Sequence, residues 1–217
     1  MVKDIVIIGA SGHGKEVALL IEQINLDQPS WNIVGFIDDR EDSMAESCLG
    51  YPVLSSVLDF VKNPTTNNVV VAIGDPRIRR SVVKTLKVTG CTYPSLVHPS
   101  VFVHRTNSIG VGVVIFQGAQ VMIDVKLGNH VHLNTQSSVS HESVLSDYAT
   151  ISPGVHVSGN VKLHSGVFLG TGTQVAPGLE IGEGAVVGAG ATVVANIEEN
   201  VVAVGSPARA IKQAEKI

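Results

Sequence analysis

From residue 97 onwards, an aliphatic side chain recurs at every sixth position without a break. A period of six fits neither the 3.6-residue turn of an α-helix nor the alternation of a single strand, so it predicts a solenoid of hexapeptide repeats. The series stops at Cys91 on one side and Glu199 on the other. Its seventeen members are Val97, Val103, Ile109, Ile115, Val121, Leu127, Leu133, Val139, Leu145, Ile151, Val157, Leu163, Leu169, Val175, Ile181, Val187 and Val193.

Each hexapeptide should supply one short strand and one corner, so that three hexapeptides close a coil of triangular section. The aliphatic residue is expected to point inward and to stack on its equivalents in the coils above and below. The residue four positions later is usually small or β-branched, as at Val113 and Ala119. The residue one position later is often Gly or Ser, and we expect it to lie where the backbone turns sharply. The repeat therefore predicts a parallel β-helix of five to six coils.

The first ninety residues follow a different pattern, in which β-branched runs alternate with segments of helical periodicity. Strands are predicted at residues 4–8, 33–37, 53–54 and 68–73, and helices at 15–24, 56–62 and 76–88. This alternation favours a small Rossmann-like α/β domain over residues 1–92. Residues 93–217 then form the β-helix with a short C-terminal cap, for which we expect a strand at 201–204 and a helix at 208–217.

Composition excludes several classes of protein. The net charge is −4 and the pI is about 6.0, with no basic run, which argues against general nucleic-acid binding. No apolar stretch reaches the ~18–20 residues that cross a bilayer, and no signal peptide is visible. Cys48 and Cys91 are the only cysteines, and without a secretory signal we expect them to stay reduced. The chain is therefore expected to be cytoplasmic.

The motif GASGHG at residues 9–14 lies between a predicted strand and a predicted helix. Backbone amides in such a turn, with a helix N-terminus behind them, suit a pyrophosphate group. Asp38 and Asp39 end the second strand, where an acid can bind ribose hydroxyls or a base edge. The alternative is a tight turn followed by a solvated acidic turn.

His141 and Glu142 lie inside the repeat, where a histidine with an adjacent acid can act as a general base. The alternative is a surface histidine on a coil. His130 and His132 form a His-x-His pair that could bind a metal, but they lack further ligands at a defined spacing, so a surface pair is favoured. Asn134 could orient a substrate or belong to a polar ladder, and the ladder is slightly favoured.

The chain resembles the NeuD/PglD-type sugar acyltransferases, left-handed β-helix enzymes with an N-terminal nucleotide-binding domain. The resemblance follows the chain in order through IVIIGASGHGKEVALLIEQIN, VGFIDD, VVVAIGD, LVHPS, LNTQSSVSHE, SPGVHVSGNVKL, FLGTGTQVAPG, VVGAGATVV and VGSPAR. It implies a left-handed solenoid and a homotrimer, with acetyl-CoA bound between neighbouring β-helices. It also implies transfer of acetyl to the 4-amino group of a UDP-, dTDP- or GDP-linked 4-amino-4,6-dideoxy sugar.

Residue by residue, the resemblance implies His141 as the catalytic base and Glu142 as its partner acid. It implies nucleotide contacts from Ser11, Gly12 and His13, followed by Asp38 and Asp39, with Gly74 also close to the nucleotide. Acetyl-CoA contacts map onto Thr150, Gly159, Thr171 and Ala189. The family can carry a histidine where this chain has Thr150. No metal is implied, and the acetyl group would pass directly, without an acyl-enzyme.

Two other functions compete with this interpretation. A sugar O-acetyltransferase of the sialic-acid type could use the same His-Glu pair, because a hydroxyl also needs its proton removed. The GASGHG turn and the Asp38-Asp39 pair favour the amino sugar, since both suit a nucleotide handle. A solenoid scaffold without catalytic activity is the third possibility, and the His-Glu pair argues against it.

Overall fold

The computed structural model describes residues 1–40 and 47–214. The chain divides into two compact units. One comprises residues 1–74 and 78–96, and the other comprises residues 75–77 and 97–217. The division after residue 92 stays a prediction.

The N-terminal unit contains a parallel sheet of four strands in the order β3-β2-β1-β4. Its elements alternate in the predicted way, and a 3₁₀ turn follows the last helix at Lys87–Thr89. The strands are β1 (Lys3–Ile8), β2 (Trp31–Ile37), β3 (Val53–Ser55) and β4 (Val69–Val71), and the helices are α1 (Gly12–Asp27), α2 (Val57–Lys62) and α3 (Pro76–Leu86). The Rossmann-like alternation is confirmed.

Burial on both faces explains why the strands are runs of Val and Ile. Val6 and Ile8 pack in a cluster with Phe60 of α2, whereas Leu20 and Ile21 of α1 are fully buried. β1 and β2 are adjacent and parallel, so the GASGHG turn and Asp38 follow the carboxyl ends of neighbouring strands. Ligands of open α/β sheets bind at this edge.

The second unit is a parallel β-helix. Each of its inner strands pairs with the strand 18 residues later, as His132 does with Thr150 and Thr150 with Phe168. The strands are β5 (Leu96–Val97), β6 (Ser108–Ile109), β7 (Val114–Ile115), β8 (Gln120–Val121), β9 (Lys126–Leu127), β10 (His132–Leu133), β11 (Ser138–Val139), β12 (Val144–Leu145), β13 (Thr150–Ile151), β14 (His156–Val157), β15 (Lys162–Leu163), β16 (Phe168–Leu169), β17 (Gln174–Val175), β18 (Glu180–Ile181), β19 (Val186–Val187), β20 (Thr192–Val193), β21 (Val201–Val204) and β22 (Arg209–Gln213).

These strands form the three sides of the coil. One sheet has the order β22-β21-β19-β16-β13-β10-β7-β5, the second β20-β17-β14-β11-β8, and the third β18-β15-β12-β9-β6. Three hexapeptides per coil are therefore confirmed, and the fold is the left-handed β-helix of hexapeptide transferases.

The core of the β-helix consists of the repeat's aliphatic residues. From Ile115 to Val193 all of them are buried, and the three earliest, Val97, Val103 and Ile109, pack on the core while partly exposed. Most of the residues four positions later are also buried, and the buried ones include three polar residues, Ser137, Ser143 and Thr173.

The corners correct one prediction, because the left-handed backbone does not occur at the Gly or Ser one position after the aliphatic residue. It occurs three positions after that residue, at Gly112, Gly118, Asp124, His130, Gln136, Glu142, Tyr148, Gly154, Asn160, Gly166, Gly172, Gly178, Gly184 and Gly190. The earlier position is small for a steric reason. A Cβ on Gly170, for example, would lie 2.6 Å from the amide nitrogen of Ala189 in the next coil.

The C-terminal segment corrects a second prediction. The expected strand at 201–204 is present as β21, but the helix expected at 208–217 is wrong as far as residue 214. β22 is a strand there and runs antiparallel to β21. The exposed edge of β21 offers backbone partners, and this tertiary pairing outweighs local helix propensity. Residues 215–217 lie outside the described part of the chain.

None of the helices in the described residues is long and apolar enough to cross a membrane.

Candidate functional site

His141 and Glu142 form the corner between β11 and β12. The His141 Nδ1 lies 3.1 Å from Glu142 Oε2, and both side chains are exposed, by 60% and 65%. Glu142 has φ +60°, and this left-handed conformation turns its carboxylate back beside the ring. With Nδ1 facing the carboxylate, Nε2 is the ring nitrogen that remains open to a ligand. The predicted pair is therefore formed within one turn.

The turn that follows one coil later lies directly against the His141 ring. The amide of Asn160 donates to the carbonyl of His141 at 2.8 Å. A Cβ built on Gly159 would lie 3.0 Å from Cδ2 of that ring and still closer to Cε1 and Nε2. Gly159, predicted to contact acetyl-CoA, is thus the immediate neighbour of the predicted base.

Ser143 connects the same two turns from inside the coil. Its side chain is fully buried, its hydroxyl donates to the Ser158 carbonyl at 3.0 Å, and it accepts the Val161 amide at 3.1 Å. These bonds satisfy a polar group in a place where most repeats have an apolar one. Ser143 is not among the site residues predicted from the sequence. The available signal was a hydroxyl at an inward position next to the His-Glu pair.

The other predicted acetyl-CoA residues do not lie in this column of turns. Thr171 and Ala189 stack in a different corner of the coil, where the Gly190 amide donates to the Thr171 carbonyl at 2.8 Å. Thr150 is on β13 and is 3% exposed. Within one chain, the structure brings Gly159 to His141 but leaves Thr171 and Ala189 at a separate corner.

Asn134 is buried, and its side-chain amide donates to the Ile151 carbonyl of the next coil at 2.8 Å. This contact agrees with the polar-ladder interpretation. Its substrate role stays a prediction.

In the N-terminal unit, Ser11 is the N-cap residue of α1, yet its hydroxyl makes no capping hydrogen bond. Ser11 and Gly12 are exposed and lie at the helix N-terminus, where backbone amides can bind an anion. His13 lies 3.2 Å from Glu16 through its Nδ1, and its side chain is 15% exposed. Burial lowers the pKa of His13, and Glu16 opposes part of that effect.

Asp38 and Asp39 hold the backbone around this turn. Asp38 Oδ2 accepts the Ala10 amide at 2.7 Å, and Arg40 binds both carboxylate oxygens. Burial raises the pKa of Asp38, but the hydrogen bonds from Arg40 and Ala10 outweigh it and hold that pKa below its usual value. Asp39 Oδ1 accepts the first amide of α2, at Val57.

Gly74 follows β4 at the same edge of the sheet. Its carbonyl accepts Arg79 Nη1 at 3.2 Å, and that arginine is fully buried. The predicted nucleotide contacts of Gly74 and of the two aspartates stay predictions.

His130 and His132 are not the surface pair that was expected, since they are only 3% and 0% exposed. The His130 ring stacks on Tyr148, one coil later, with centroids 5.3 Å apart and planes 6° apart. The expectation treated both side chains as solvated, whereas Tyr148 of the next coil covers His130, and His132 is fully buried on strand β10. In the described part of the chain, no cluster of three or more His, Cys, Asp or Glu side chains is arranged to hold a metal.

Two families match parts of the chain. The PglD N-terminal domain matches residues 4–86, and the bacterial transferase hexapeptide, in six repeats, matches residues 160–195. A search among curated proteins found no match.

Solved structures match nearly the whole chain. The acetyltransferase domain of PglB from Neisseria gonorrhoeae, in complex with acetyl coenzyme A, is 32% identical with a TM-score of 0.88, covering 97% of this chain and 100% of that one. WeeI from Acinetobacter baumannii is 32% identical with a TM-score of 0.85, covering 95% and 99%.

A histidine-to-asparagine variant of perosamine N-acetyltransferase from Caulobacter crescentus, in complex with CoA and GDP-perosamine, is 28% identical with a TM-score of 0.87, covering 98% and 99%. Identity of 32% over at least 95% of this chain, together with both family matches, shows the relationship. The chain belongs to the NeuD/PglD-type family of hexapeptide-repeat sugar acyltransferases.

Proposed function

We propose that the protein transfers the acetyl group of acetyl-CoA to the amino group of a nucleotide-linked amino sugar, of the 4-amino-4,6-dideoxy class. The observation that carries this is the exposed His141-Glu142 pair, held against Gly159 in a chain that matches sugar N-acetyltransferases from end to end. The three solved relatives include one complex with acetyl coenzyme A and one with CoA and GDP-perosamine.

His141 is proposed as the general base. The neutral amine is the nucleophile, and it must lose one proton as it adds to the thioester carbonyl carbon, because the amide nitrogen of the product carries one hydrogen fewer. Nε2 would accept that proton, because Nδ1 faces Glu142. The new C–N bond forms, the C–S bond breaks, and the proton passes to the departing CoA sulfur. Such base catalysis typically contributes ~10²–10⁴-fold.

The backbone amide of Gly159 is proposed to bind the acetyl oxygen during transfer. Among the described residues its amide N–H has no hydrogen-bond acceptor, while its carbonyl accepts the Gly178 amide. An amide beside the base is well placed to donate to the oxyanion of the tetrahedral intermediate. Neither cysteine is near this corner in sequence, so direct transfer needs no acyl-enzyme.

The nucleotide is proposed to bind the N-terminal unit. Ser11, Gly12 and His13 lie at the start of α1, where a helix N-terminus suits its diphosphate, and Ser11 and Gly12 are exposed. Asp38 would act through the backbone, since its carboxylate already binds the Ala10 amide and Arg40.

A homotrimer is proposed because one chain does not assemble the acetyl-CoA contacts. Gly159 is in the His141 column, whereas Thr171 and Ala189 occupy another corner. An acetyl-CoA molecule that touches both sets would have to lie between two β-helices. We further propose a cytoplasmic location, where acetyl-CoA and activated sugars are made.

The test is thiol release from acetyl-CoA with a panel of UDP-, dTDP- and GDP-linked 4-amino sugars, with free sialic acid as the hydroxyl acceptor. Rapid release with one amino sugar, with an amide in the product by mass spectrometry, would support the proposal and name the nucleotide. Release only with the hydroxyl acceptor would move the protein to O-acetylation. Acetyl-CoA binding without release would mean that another acceptor class must be sought.

A further inference from the structure

The residue under His141 is unusual among the corners of the β-helix. Each corner turn has two residues, and the second carries the left-handed backbone. The first positions of the fourteen turns are Val111, Gln117, Ile123, Asn129, Thr135, His141, Asp147, Pro153, Gly159, Ser165, Thr171, Pro177, Glu183 and Ala189. Glycine occurs once among them, directly below the predicted base.

Backbone conformation does not require this glycine. Gly159 is not among the residues with positive φ, and the left-handed residue of its turn is Asn160, with φ +55°. Side-chain space does require it, because the Cβ position is occupied by the His141 ring. We propose that Gly159 is a positioning residue, a flat seat on which the imidazole of His141 rests in its reactive orientation.

The seat is held at a fixed distance from the ring by three hydrogen bonds. The Asn160 amide binds the His141 carbonyl, and the buried Ser143 hydroxyl binds both the Ser158 carbonyl and the Val161 amide. These bonds tie the residues on either side of Gly159 to the turn that carries His141. Residue 159 therefore cannot move away from the His141 ring without breaking these hydrogen bonds.

A methyl group at position 159 should displace the ring rather than unfold the coil. His141 is 60% exposed, so its ring can rotate into solvent. Gly159→Ala is expected to move the thermal midpoint by less than about 4 °C, the shift that accompanies a small change in stability in a chain of this size. The proton NMR signal of the His141 ring, assigned by its loss in His141→Ala, should shift, while the signals of His98 and His130 stay in place.

The functional part of this inference rests on the proposed role of His141. Gly159→Ala should lower kcat at least tenfold and leave the KM for acetyl-CoA within about twofold. In the His141→Ala background, the same substitution should change the residual kcat by less than twofold, because no ring is left to displace. Ser165→Ala, at the same position of the next turn, is the matched control and should keep the activity of the parent protein.

The outcomes separate the two proposals. If the NMR signal of His141 does not shift in Gly159→Ala, the proposal that Gly159 positions the His141 ring is wrong. An equal loss of kcat with and without His141, or a large rise in the KM for acetyl-CoA, would also overturn it, since the added methyl group would then act on acetyl-CoA rather than through the His141 ring. If the His141 signal shifts in Gly159→Ala but kcat is unchanged, Gly159 does position the ring, and His141 is not the catalytic base.

Discussion

Two histidines occupy corners of the same β-helix and meet opposite surroundings. His130 is 3% exposed and its ring stacks on Tyr148, whereas His141 is 60% exposed and its ring faces Gly159. Both positions lie in two-residue turns with one left-handed residue. The residue 18 positions later decides the difference: an aromatic ring covers the first histidine, and a glycine leaves the second one open.

The residue that stacks on a corner from the next coil, rather than the neighbour in sequence, therefore decides whether a side chain at that corner is covered or open to a substrate. A ring between two coils contributes packing energy and has little room for a substrate. A ring that rests on a bare backbone can bring one nitrogen to a substrate while the backbone amide beside it stays available. Substitutions at the two corners should therefore have different effects on turnover and stability.

Replacement of the exposed histidine should have the largest effect. His141→Ala is expected to lower turnover at least a hundredfold with folding intact, because ~10²–10⁴-fold is typical of a positioned base. Thiol release and circular dichroism measure the two properties. His130→Ala is the matched comparison and should keep turnover within about threefold. Equal losses in both variants would break the distinction between the corners.

Removal of the charge beside the base should have a smaller effect. Glu142→Gln is expected to reduce turnover about fivefold, because an exposed ion pair contributes up to about 1 kcal/mol. Glutamine tolerates the backbone, since Gln136 adopts φ +59° at the equivalent position of the preceding turn. The measurement is kcat at saturating acetyl-CoA. A loss as large as that of His141→Ala would mean that the carboxylate does more than orient the ring.

Loss of the stacked partner should affect stability and leave catalysis alone. Tyr148→Ala removes the ring that lies 5.3 Å from His130, an interaction worth about 0.5–1.5 kcal/mol beyond the buried area. We expect the thermal midpoint to fall by about 2–4 °C. Turnover should change by less than about twofold, and a larger loss would place the covered corner in the catalytic machinery.

The smallest effect concerns pH. Burial lowers the pKa of His98 in the folded protein below the ordinary value of a histidine. As the pH falls through that value, the unfolded chain takes up a proton that the folded chain does not, so folding stability decreases. His98→Gln should therefore lose less stability than the parent between pH 7 and pH 5.5, as measured by urea denaturation. His13, whose pKa is also lowered, accounts for part of the remaining loss.

The inward positions of the solenoid could be read from the sequence because one rule governs all of them. An aliphatic residue every sixth position must face the interior of a three-sided coil, and the buried side chains from Ile115 to Val193 obey it. Outward positions follow no such rule, because their exposure depends on what covers them. His132 is fully buried at an outward strand position, and the repeat alone does not anticipate that.

The candidate site was predictable in part. His141 and Glu142 are adjacent in sequence, so their pairing needed only a turn. Gly159 and Ser143 act across coils, and their relation to His141 appears only when the chain is folded into its 18-residue period. The aspartates differ again. Asp38 and Asp39 follow the predicted strand, but the backbone amides and the arginine that they bind come from tertiary geometry.

The antiparallel strand β22 also determines how the solenoid ends. A parallel stack of coils leaves its last rung with unpaired N–H and C=O groups, which could template another chain and extend into a fibre. β22 occupies that rung beside β21 and reverses the strand direction. A further parallel coil would meet an edge of the wrong polarity on this side of the prism. At this edge, β22 thus works against the addition of another parallel coil.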